Sequence, residues 1–206
     1  AWGNEFSPNG RFLAGRGRSD FYRIWDLDER RNIKDIPMAP GFYAVDFTRD
    51  SRAIAFGHED KRIHFVDLTT GAQRDALPEG PAPPRRLSFS PDGRKLAVVF
   101  DGIREVHIRD AQTGETNALE HPAPIHHAIW SFDGRLLAVS CEDFNIYLWD
   151  TDTWQPRATL RGHQWGGVSV VFSPRSYCLS SGSWDGTRRL WDASTGKRLW
   201  WVENSR

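Results

Sequence analysis

Short runs of apolar residues, separated by turn-forming residues, recur along the chain and predict β-strands. The last segment shows the pattern best: residues 168–172 are rich in β-branched side chains, and a turn separates them from a second strand at 177–181. A third strand is predicted at 187–191 and a fourth at 197–202. No stretch keeps its apolar residues at the 3.6-residue spacing of a helix, so we expect helix content near zero.

This four-strand pattern occurs five times, and two landmarks keep it in register. The first is an aromatic residue before a turn, at positions separated by 41, 42, 41 and 42 residues: Phe6, Phe47, Phe89, Trp130 and Phe172. The second landmark follows 19 residues later, or 20 in the third segment: Trp25-Asp26, Val66-Asp67, Arg109-Asp110, Trp149-Asp150 and Trp191-Asp192. A fixed period of this length indicates a repeat architecture. We therefore expect five modules, bounded near 1–37, 38–79, 80–120, 121–161 and 162–206.

Several of these motifs together resemble the WD-repeat (WD40) β-propeller family. They are the Trp-Asp dipeptides, Phe-Ser-Pro-Asp-Gly at 89–93, the Gly162-His163 pair and Ser-Trp-Asp-Gly-Thr at 183–187. The resemblance covers essentially the whole chain. It implies an all-β fold, a propeller of four-stranded antiparallel blades around a central channel, in which each blade is stable only when its neighbours cover it.

The number of repeats leaves two architectures open. Rings in this family are typically seven-bladed and are often locked by a blade built from both chain ends, which this chain does not show. We therefore expect its five repeats to be part of a larger, seven-bladed ring, and a complete five-bladed ring is the alternative. In the first case the outer faces of the first and last blades expose apolar surface, and the isolated chain should associate.

The resemblance also implies buried side chains that hold the blades together by hydrogen bonds. In blade four, Val139 stands at the position that serine occupies in blade five. Blades one to three lack the histidine of this network, and Arg109 replaces the landmark tryptophan of blade three. The predicted structural set comprises His163, Ser181, Asp185 and Trp191 in blade five, His121, Asp143 and Trp149 in blade four, and Trp25 in blade one.

A serine, a histidine and an aspartate in blade five also suggest a hydrolase. We favour the structural interpretation, because catalysis needs an exposed nucleophile with an oxyanion site and no Gly-x-Ser-x-Gly motif occurs. No phosphate-binding glycine loop is present either. We predict no catalytic residue and no cofactor.

The histidines and cysteines do not form a recognisable metal-binding pattern. His126 and His127 are adjacent, so in a strand they point to opposite faces. His58 and His64 can meet across a hairpin, but no cysteine or carboxylate completes a recognisable ligand spacing. We therefore predict no metal site. Cys141 and Cys178 fall in different blades, and we expect no bond between them.

In this family the face that most often binds a partner is formed by the turns between second and third strands and by the loops between blades. Arginine and tryptophan are the side chains that dominate binding hot spots. The alternative is that the charges are solvated and the tryptophans lie against neighbouring blades. The predicted partner-binding residues are Arg16, Arg18, His58, Glu59, Asp101, Arg104, Glu142, Phe144, Trp165 and Trp184.

Composition restricts the class of partner. The 27 basic and 27 acidic side chains cancel, so no global field directs the chain to nucleic acid or to an anionic membrane. No apolar run approaches the roughly 20 residues of a membrane helix, and no signal peptide opens the chain, so we expect a soluble, cytoplasmic protein. The only methionine is Met38, which indicates a truncated N-terminus.

We therefore predict a non-catalytic scaffold whose partner is a protein or peptide, and neither nucleic acid, membrane nor small molecule. Two alternatives stay open. One is a regulatory or sensor portion of a longer protein with an upstream enzymatic domain, and the other is a hydrolase built on a propeller.

Overall fold

The computed structural model describes residues 4–16, 21–37 and 44–203, and within these ranges every regular element is a β-strand. The predicted near absence of helix is thus confirmed. Twenty described strands form five antiparallel, four-stranded sheets. In each sheet the strands pair in chain order, which is the arrangement expected when short turns join consecutive strands.

The strands of the first three sheets fall between residues 5 and 120. The first sheet contains β1 (Glu5–Phe6), β2 (Phe12–Arg16), β3 (Phe21–Asp26) and β4 (Arg31–Pro37). The second contains β5 (Val45–Phe47), β6 (Ala53–Gly57), β7 (Ile63–Asp67) and β8 (Gln73–Leu77). The third contains β9 (Pro84–Phe89), β10 (Lys95–Phe100), β11 (Glu105–Asp110) and β12 (Thr116–Glu120).

The remaining strands form two further sheets. The fourth sheet contains β13 (Ile125–Trp130), β14 (Leu136–Cys141), β15 (Ile146–Asp150) and β16 (Pro156–Leu160). The fifth contains β17 (Ser169–Phe172), β18 (Cys178–Gly182), β19 (Thr187–Asp192) and β20 (Lys197–Glu203).

The turn after the first strand of a sheet is built by its own serine and aspartate. In the third sheet, the Ser90 hydroxyl donates to Asp92 at 2.6 Å and accepts the backbone N–H of Lys95 at 2.9 Å. Ser131, Asp133 and Leu136 repeat this arrangement in the fourth sheet. These bonds satisfy backbone groups that the hairpin would otherwise leave unpaired, which explains the recurrence of the motif.

The second landmark, the aspartate at the end of each third strand, builds the next turn. Asp67 accepts the backbone N–H groups of Thr69 and Thr70, both at 2.9 Å. The residue four positions after the aspartate has a positive φ, and glycine occupies it as Gly71 (φ 69°). The first and fourth sheets place Arg30 and Trp154 at this position, with φ of 50° and 55°. The turn therefore forms even where glycine is missing, because the aspartate holds it.

The chain divides into two compact units, residues 1–100 with 109–115 and residues 101–108 with 116–206. A core cluster of the first unit includes Phe12, Ile24, Phe47 and Ile54. A cluster of the second unit includes Leu136, Leu148, Leu179 and Trp191, from the fourth and fifth sheets. Apolar faces of consecutive sheets thus bury one another within each unit.

Candidate functional site

Two exposed tryptophans form the most prominent apolar feature among the predicted partner-binding residues. Trp165 lies in the loop before β17 and is 62 % exposed, and Trp184 lies in the β18–β19 turn and is 69 % exposed. Their ring centroids are 6.3 Å apart in an edge-to-face arrangement. The alternative in which both rings lie buried against other sheets does not hold, because more than half of each side chain faces solvent.

Backbone hydrogen bonds hold the two tryptophan-bearing segments together. The Trp184 N–H donates to the Gly166 carbonyl at 3.2 Å, and the Ser183 hydroxyl donates to the carbonyl of Trp165. Gly167 has a φ of 62°, and a Cβ there would come within 2.5 Å of the Trp184 indole. The close approach of indole and backbone therefore requires glycine.

Phe144 and Glu142 extend this surface from the fourth sheet. Both lie in the β14–β15 turn, where Phe144 has a φ of 68° and packs against the core cluster of the second unit. Phe144 also lies near Gly166 of the tryptophan loop. Glu142 is exposed, and its N–H donates to the Pro124 carbonyl at 2.8 Å. We call Phe144, Trp165 and Trp184 the aromatic surface.

A cavity of about 350 Å³ is lined in part by Gln164 and Asp185, which are adjacent in sequence to Trp165 and Trp184. Arg189 lies in it, almost buried, with its guanidinium 5.9 Å from the Trp201 ring centroid and its Nε–H on the Thr187 hydroxyl at 3.2 Å. Both acidic and basic groups reach the cavity, since its lining consists of Gly162, Gln164, Asp185, Thr187, Arg189, Arg198, Trp201 and Glu203.

The other predicted partner-binding residues are dispersed over separate turns. His58 and Glu59 are exposed in the β6–β7 turn, and Asp101 and Arg104 are exposed in the β10–β11 turn. Arg16 ends β2, and Arg18 lies outside the described residues.

The predicted structural residues of the fifth sheet make one continuous hydrogen-bond network. The Trp191 indole N–H donates to the Ser181 hydroxyl at 2.8 Å, and that hydroxyl lies 2.8 Å from His163 Nε2. His163 Nδ1 lies 3.0 Å from an Asp185 carboxylate oxygen. Because the Asp185 carboxylate can only accept, the proton of the neutral His163 ring sits on Nδ1, and Ser181 donates to the unprotonated Nε2 while it accepts from the indole.

Burial decides what this network can do chemically. Ser181 is 1 % exposed, so its hydroxyl is closed to a substrate. Burial lowers the pKa of His163 more than Asp185 raises it, which favours the neutral ring. Burial would raise the pKa of Asp185, but hydrogen bonds from Thr187, Gln164 and His163 outweigh that effect and hold it well below its usual range. The arrangement tethers the loop, the turn and two strands.

Thr187 belongs to the same network, although the sequence analysis did not single it out. Its hydroxyl donates to Asp185 at 2.7 Å and lies 3.1 Å from His163 Nδ1. The turn motif contains this threonine, but only the geometry shows that its hydroxyl closes the network.

The fourth sheet replaces the network with a shorter version. With valine at position 139, the Trp149 indole N–H donates directly to His121 Nε2 at 3.0 Å. His121 Nδ1 donates to the Leu119 carbonyl at 2.9 Å, and burial lowers the pKa of its ring. Asp143 instead accepts the Tyr147 hydroxyl at 2.5 Å and the Asn145 amide at 3.0 Å. The structure thus joins His121 to Trp149 but connects Asp143 to other side chains.

In the first sheet, Trp25 is half-buried on β3 opposite Leu13. A Cβ on Gly15 would lie 2.5 Å from the Asn4 side-chain oxygen and 3.2 Å from the Trp25 ring, so glycine leaves room for both side chains.

Two carboxylates, one on the first strand of the first sheet and one on the first strand of the second, have raised pKa values. Burial, with a smaller contribution from Asp46, raises the pKa of Glu5 to about 8. Burial also raises the pKa of Asp46 to about 6, although Arg49 at 3.1 Å and the Phe89 N–H at 2.7 Å lower it. No histidine or cysteine joins them in a ligand cluster within the described ranges.

The structure brings one group of metal-binding side chain types together among the described residues. His58, Asp60 and His64 each place a potential ligand atom within 4.8 Å of the others. Asp60 was not identified from the sequence, because it lies in a turn, where spacing along the chain does not determine the direction of a side chain. Cys141 and Cys178 are both free, as expected, and burial raises the pKa of the Cys141 thiol.

Comparison with known proteins relates this geometry to a family. The sequence model of the WD domain, G-beta repeat, matches residues 115–150 and 154–192. A solved structure titled "Crystal Structure of Mitotic Checkpoint Complex" contains a chain that aligns with 97 % of this one and 62 % of its own length, with a TM-score of 0.81 and 20 % identity. The likeness shows the β-propeller fold. Two segments of this chain, 115–150 and 154–192, are thus similar to WD40 repeats.

Curated proteins similar to this chain are longer than it is. The serine-threonine kinase receptor-associated protein of Gallus gallus is 27 % identical over 202 residues, which are 95 % of this chain and 56 % of the relative. Periodic tryptophan protein 2 of Arabidopsis thaliana is 26 % identical over 93 % of this chain and 22 % of its own length. COMPASS component SWD3 of Saccharomyces cerevisiae is 36 % identical over 55 % of this chain and 36 % of its own length. The chain thus spans about half the length of the receptor-associated proteins it matches.

No helix among the described residues is long and apolar enough to cross a membrane.

Proposed function

We propose that this chain is a non-catalytic scaffold that binds a protein or peptide through the aromatic surface. The observation that carries the proposal is the pair of exposed tryptophans, Trp165 and Trp184, held in mutual contact by hydrogen bonds of their own backbone segments. A surface that is ordered before binding loses little conformational entropy when a partner arrives. Tryptophan supplies much of the binding energy at protein interfaces.

The adjoining cavity indicates the chemistry of the bound segment. Apolar side chains of a partner would pack on the indoles, and the cavity beside them offers Arg189 and Arg198 together with Asp185 and Glu203. A cavity lined by both acidic and basic groups can bind a polar or charged side chain of the partner, next to the apolar side chain that packs on the indoles. The equal numbers of basic and acidic residues support a protein partner over a nucleic acid.

The names of similar proteins support an interaction role. One relative is a receptor-associated protein, another is a component of COMPASS, and the solved structure is that of a checkpoint complex. Each name describes a protein that associates with others. The burial of Ser181 supports a structural role for the serine, histidine and aspartate of the fifth sheet.

We also propose that the five sheets form part of a larger, seven-bladed ring. Two observations support this. The chain aligns with only 56 % of the receptor-associated protein, and the outer face of the fifth sheet exposes Val171 and Trp200.

A peptide selection tests the proposed surface. A random peptide library displayed on phage is panned against the chain, and the selected peptides are titrated calorimetrically. We expect Trp165→Ala/Trp184→Ala to weaken the selected peptides at least about tenfold, the loss typical of hot-spot residues. Leu27→Ala, which removes an exposed apolar side chain in the first sheet, is the matched control and should change affinity less than twofold. Equal affinity of the double variant and the unmodified chain would refute the assignment.

A further inference from the structure

The β6–β7 turn gathers two imidazoles and one carboxylate at a single point of the first unit. His64 Nε2 lies 2.8 Å from one Asp60 oxygen, and His58 Nδ1 lies 3.3 Å from the other. The two histidine rings meet edge to face with centroids 5.3 Å apart. The three potential ligand atoms all lie within 4.8 Å of one another.

The turn itself produces this convergence. His58 and Lys61 are joined by a backbone hydrogen bond of 3.1 Å, and Lys61 has a φ of 64°, so the chain reverses within four residues. The Arg62 N–H donates to Asp60 at 2.9 Å, which turns that carboxylate back towards the start of β7. His64, the second residue of β7, then reaches it.

The orientation of His64 is fixed by contacts behind it. The Gln73 amide lies 3.1 Å from its Nδ1, and its ring stacks on Phe56 with centroids 5.5 Å apart. A metal-binding histidine in proteins commonly has its second ring nitrogen held by a hydrogen bond of this type. Gln73 can either donate a hydrogen bond to His64 Nδ1 or accept one from it, because its amide carries both donors and an acceptor.

We propose that His58, Asp60 and His64 form a binding site for a divalent transition-metal ion, of which Zn²⁺ is the best match. Two imidazoles and a carboxylate are a donor set that zinc accepts, and three protein ligands leave a fourth position for water or for a donor from a partner. Tetrahedral zinc with bonds of about 2.0–2.1 Å requires ligand atoms about 3.3 Å apart. His58 and Asp60 are both exposed, so their side chains can adjust towards that spacing without displacing buried residues.

One lysine of this turn is paired with a carboxylate. Lys61, on the same turn, has its ammonium 3.6 Å from Glu79, which offsets its charge. Imidazole ligands favour zinc, nickel and copper over magnesium and calcium, which prefer oxygen.

Equilibrium dialysis of the intact chain against Zn²⁺, and separately against Mg²⁺, tests the site. We expect one Zn²⁺ per chain and no Mg²⁺. His64→Gln and Asp60→Asn should each weaken Zn²⁺ binding at least about tenfold, since even the loss of a supporting contact costs that much at metal sites. Asparagine keeps an oxygen for the Arg62 N–H, so the turn is preserved.

His107→Gln is the matched control, because His107 also contacts a carboxylate, that of Glu105 at 3.2 Å, but belongs to no three-ligand group among the described residues. It should bind Zn²⁺ as the unmodified chain does. Co²⁺ gives an independent readout, since its visible absorption should appear with the unmodified chain and disappear with His64→Gln. The proposal fails if the unmodified chain takes up no Zn²⁺, if Mg²⁺ binds equally well, or if the Asp60 and His64 variants retain full affinity.

Discussion

At the scale of single residues, the same position in successive repeats carries very different side chains. Trp191 donates its indole N–H to Ser181 in the fifth sheet, whereas Arg109 occupies the corresponding place in the third. Arg109 is 2 % exposed, and its guanidinium donates to the Pro78 carbonyl and lies 5.9 Å from the Phe100 ring centroid. Burial lowers its pKa. An arginine can thus fill a tryptophan position, because its long stem packs as an apolar group.

Asp185→Asn tests the hydrogen-bond network of the fifth sheet. An asparagine keeps one acceptor oxygen but places an amide donor where Asp185 accepts from His163, Gln164 or Thr187. We expect the free energy of unfolding to fall by about 1–3 kcal/mol, the usual cost of an unsatisfied buried group. Urea denaturation followed by tryptophan fluorescence measures it.

Asp152→Asn is the control for this measurement, because Asp152 is exposed in the β15–β16 turn. Its stability should match that of the unmodified chain. If Asp185→Asn also unfolds at the original urea concentration, the network does not stabilise the sheet.

The sequence predicted part of this residue-scale picture. His163, Ser181, Asp185 and Trp191 were named through the resemblance, and the structure joins them. Thr187 and Asp60 were missed. Asp60 lies in a turn and Thr187 directly follows one, and spacing along the chain does not encode the direction in which such a backbone aims its side chains.

At the scale of strands and turns, equivalent glycines have different surroundings. Gly57 and Gly182 each end the second strand of their sheet. A Cβ on Gly57 would lie 2.7 Å from the Pro84 side chain and 3.0 Å from its carbonyl oxygen, whereas a Cβ on Gly182 would meet only the Ser169 hydroxyl at 3.4 Å. Neither position has a positive φ, so the difference is due to packing alone.

Gly57→Ala should therefore destabilise the chain, and Gly182→Ala should not. The added methyl group at position 57 forces β6 away from β9, and overpacking of this kind costs about 1–3 kcal/mol. Differential scanning calorimetry of both variants measures the change in melting temperature. Equal melting temperatures of the two variants would show that β6 and β9 adjust without cost.

At the scale of the whole molecule, equivalent rows of four residues, each row paired across the strands of one sheet, are buried in the fourth sheet and exposed in the fifth. In the fourth sheet the paired residues Ile129, Ala138, Leu148 and Ala158 lie in the core cluster that the fifth sheet completes. The corresponding row of the fifth sheet is Val171, Ser180, Leu190 and Trp200. Val171 is 61 % exposed and Trp200 is 56 % exposed, so no described residue covers them as the fifth sheet covers the fourth.

This exposed row should make the 206-residue chain associate with itself. An apolar sheet face next to an edge strand, here β20, favours contact with another copy. We expect the average mass in sedimentation velocity to rise with concentration, and Val171→Lys/Trp200→Lys to reduce the rise. Leu27→Lys, at a separate exposed apolar residue, is the control and should leave association unchanged. A chain that stays monomeric at every concentration, or a double variant that associates unchanged, would contradict the prediction.

The strands, the turns and the five repeats follow from the amino-acid sequence alone, because they depend on contacts between residues close in the chain. Serine and aspartate side chains satisfy their own turns, and alternating apolar residues give each strand a face to bury. The folded structure was needed to show which face of each sheet is covered, how Trp165 meets Trp184 and where Asp60 points. Those features depend on how the sheets pack and on where each turn points. Both are determined by contacts between residues that are distant in sequence.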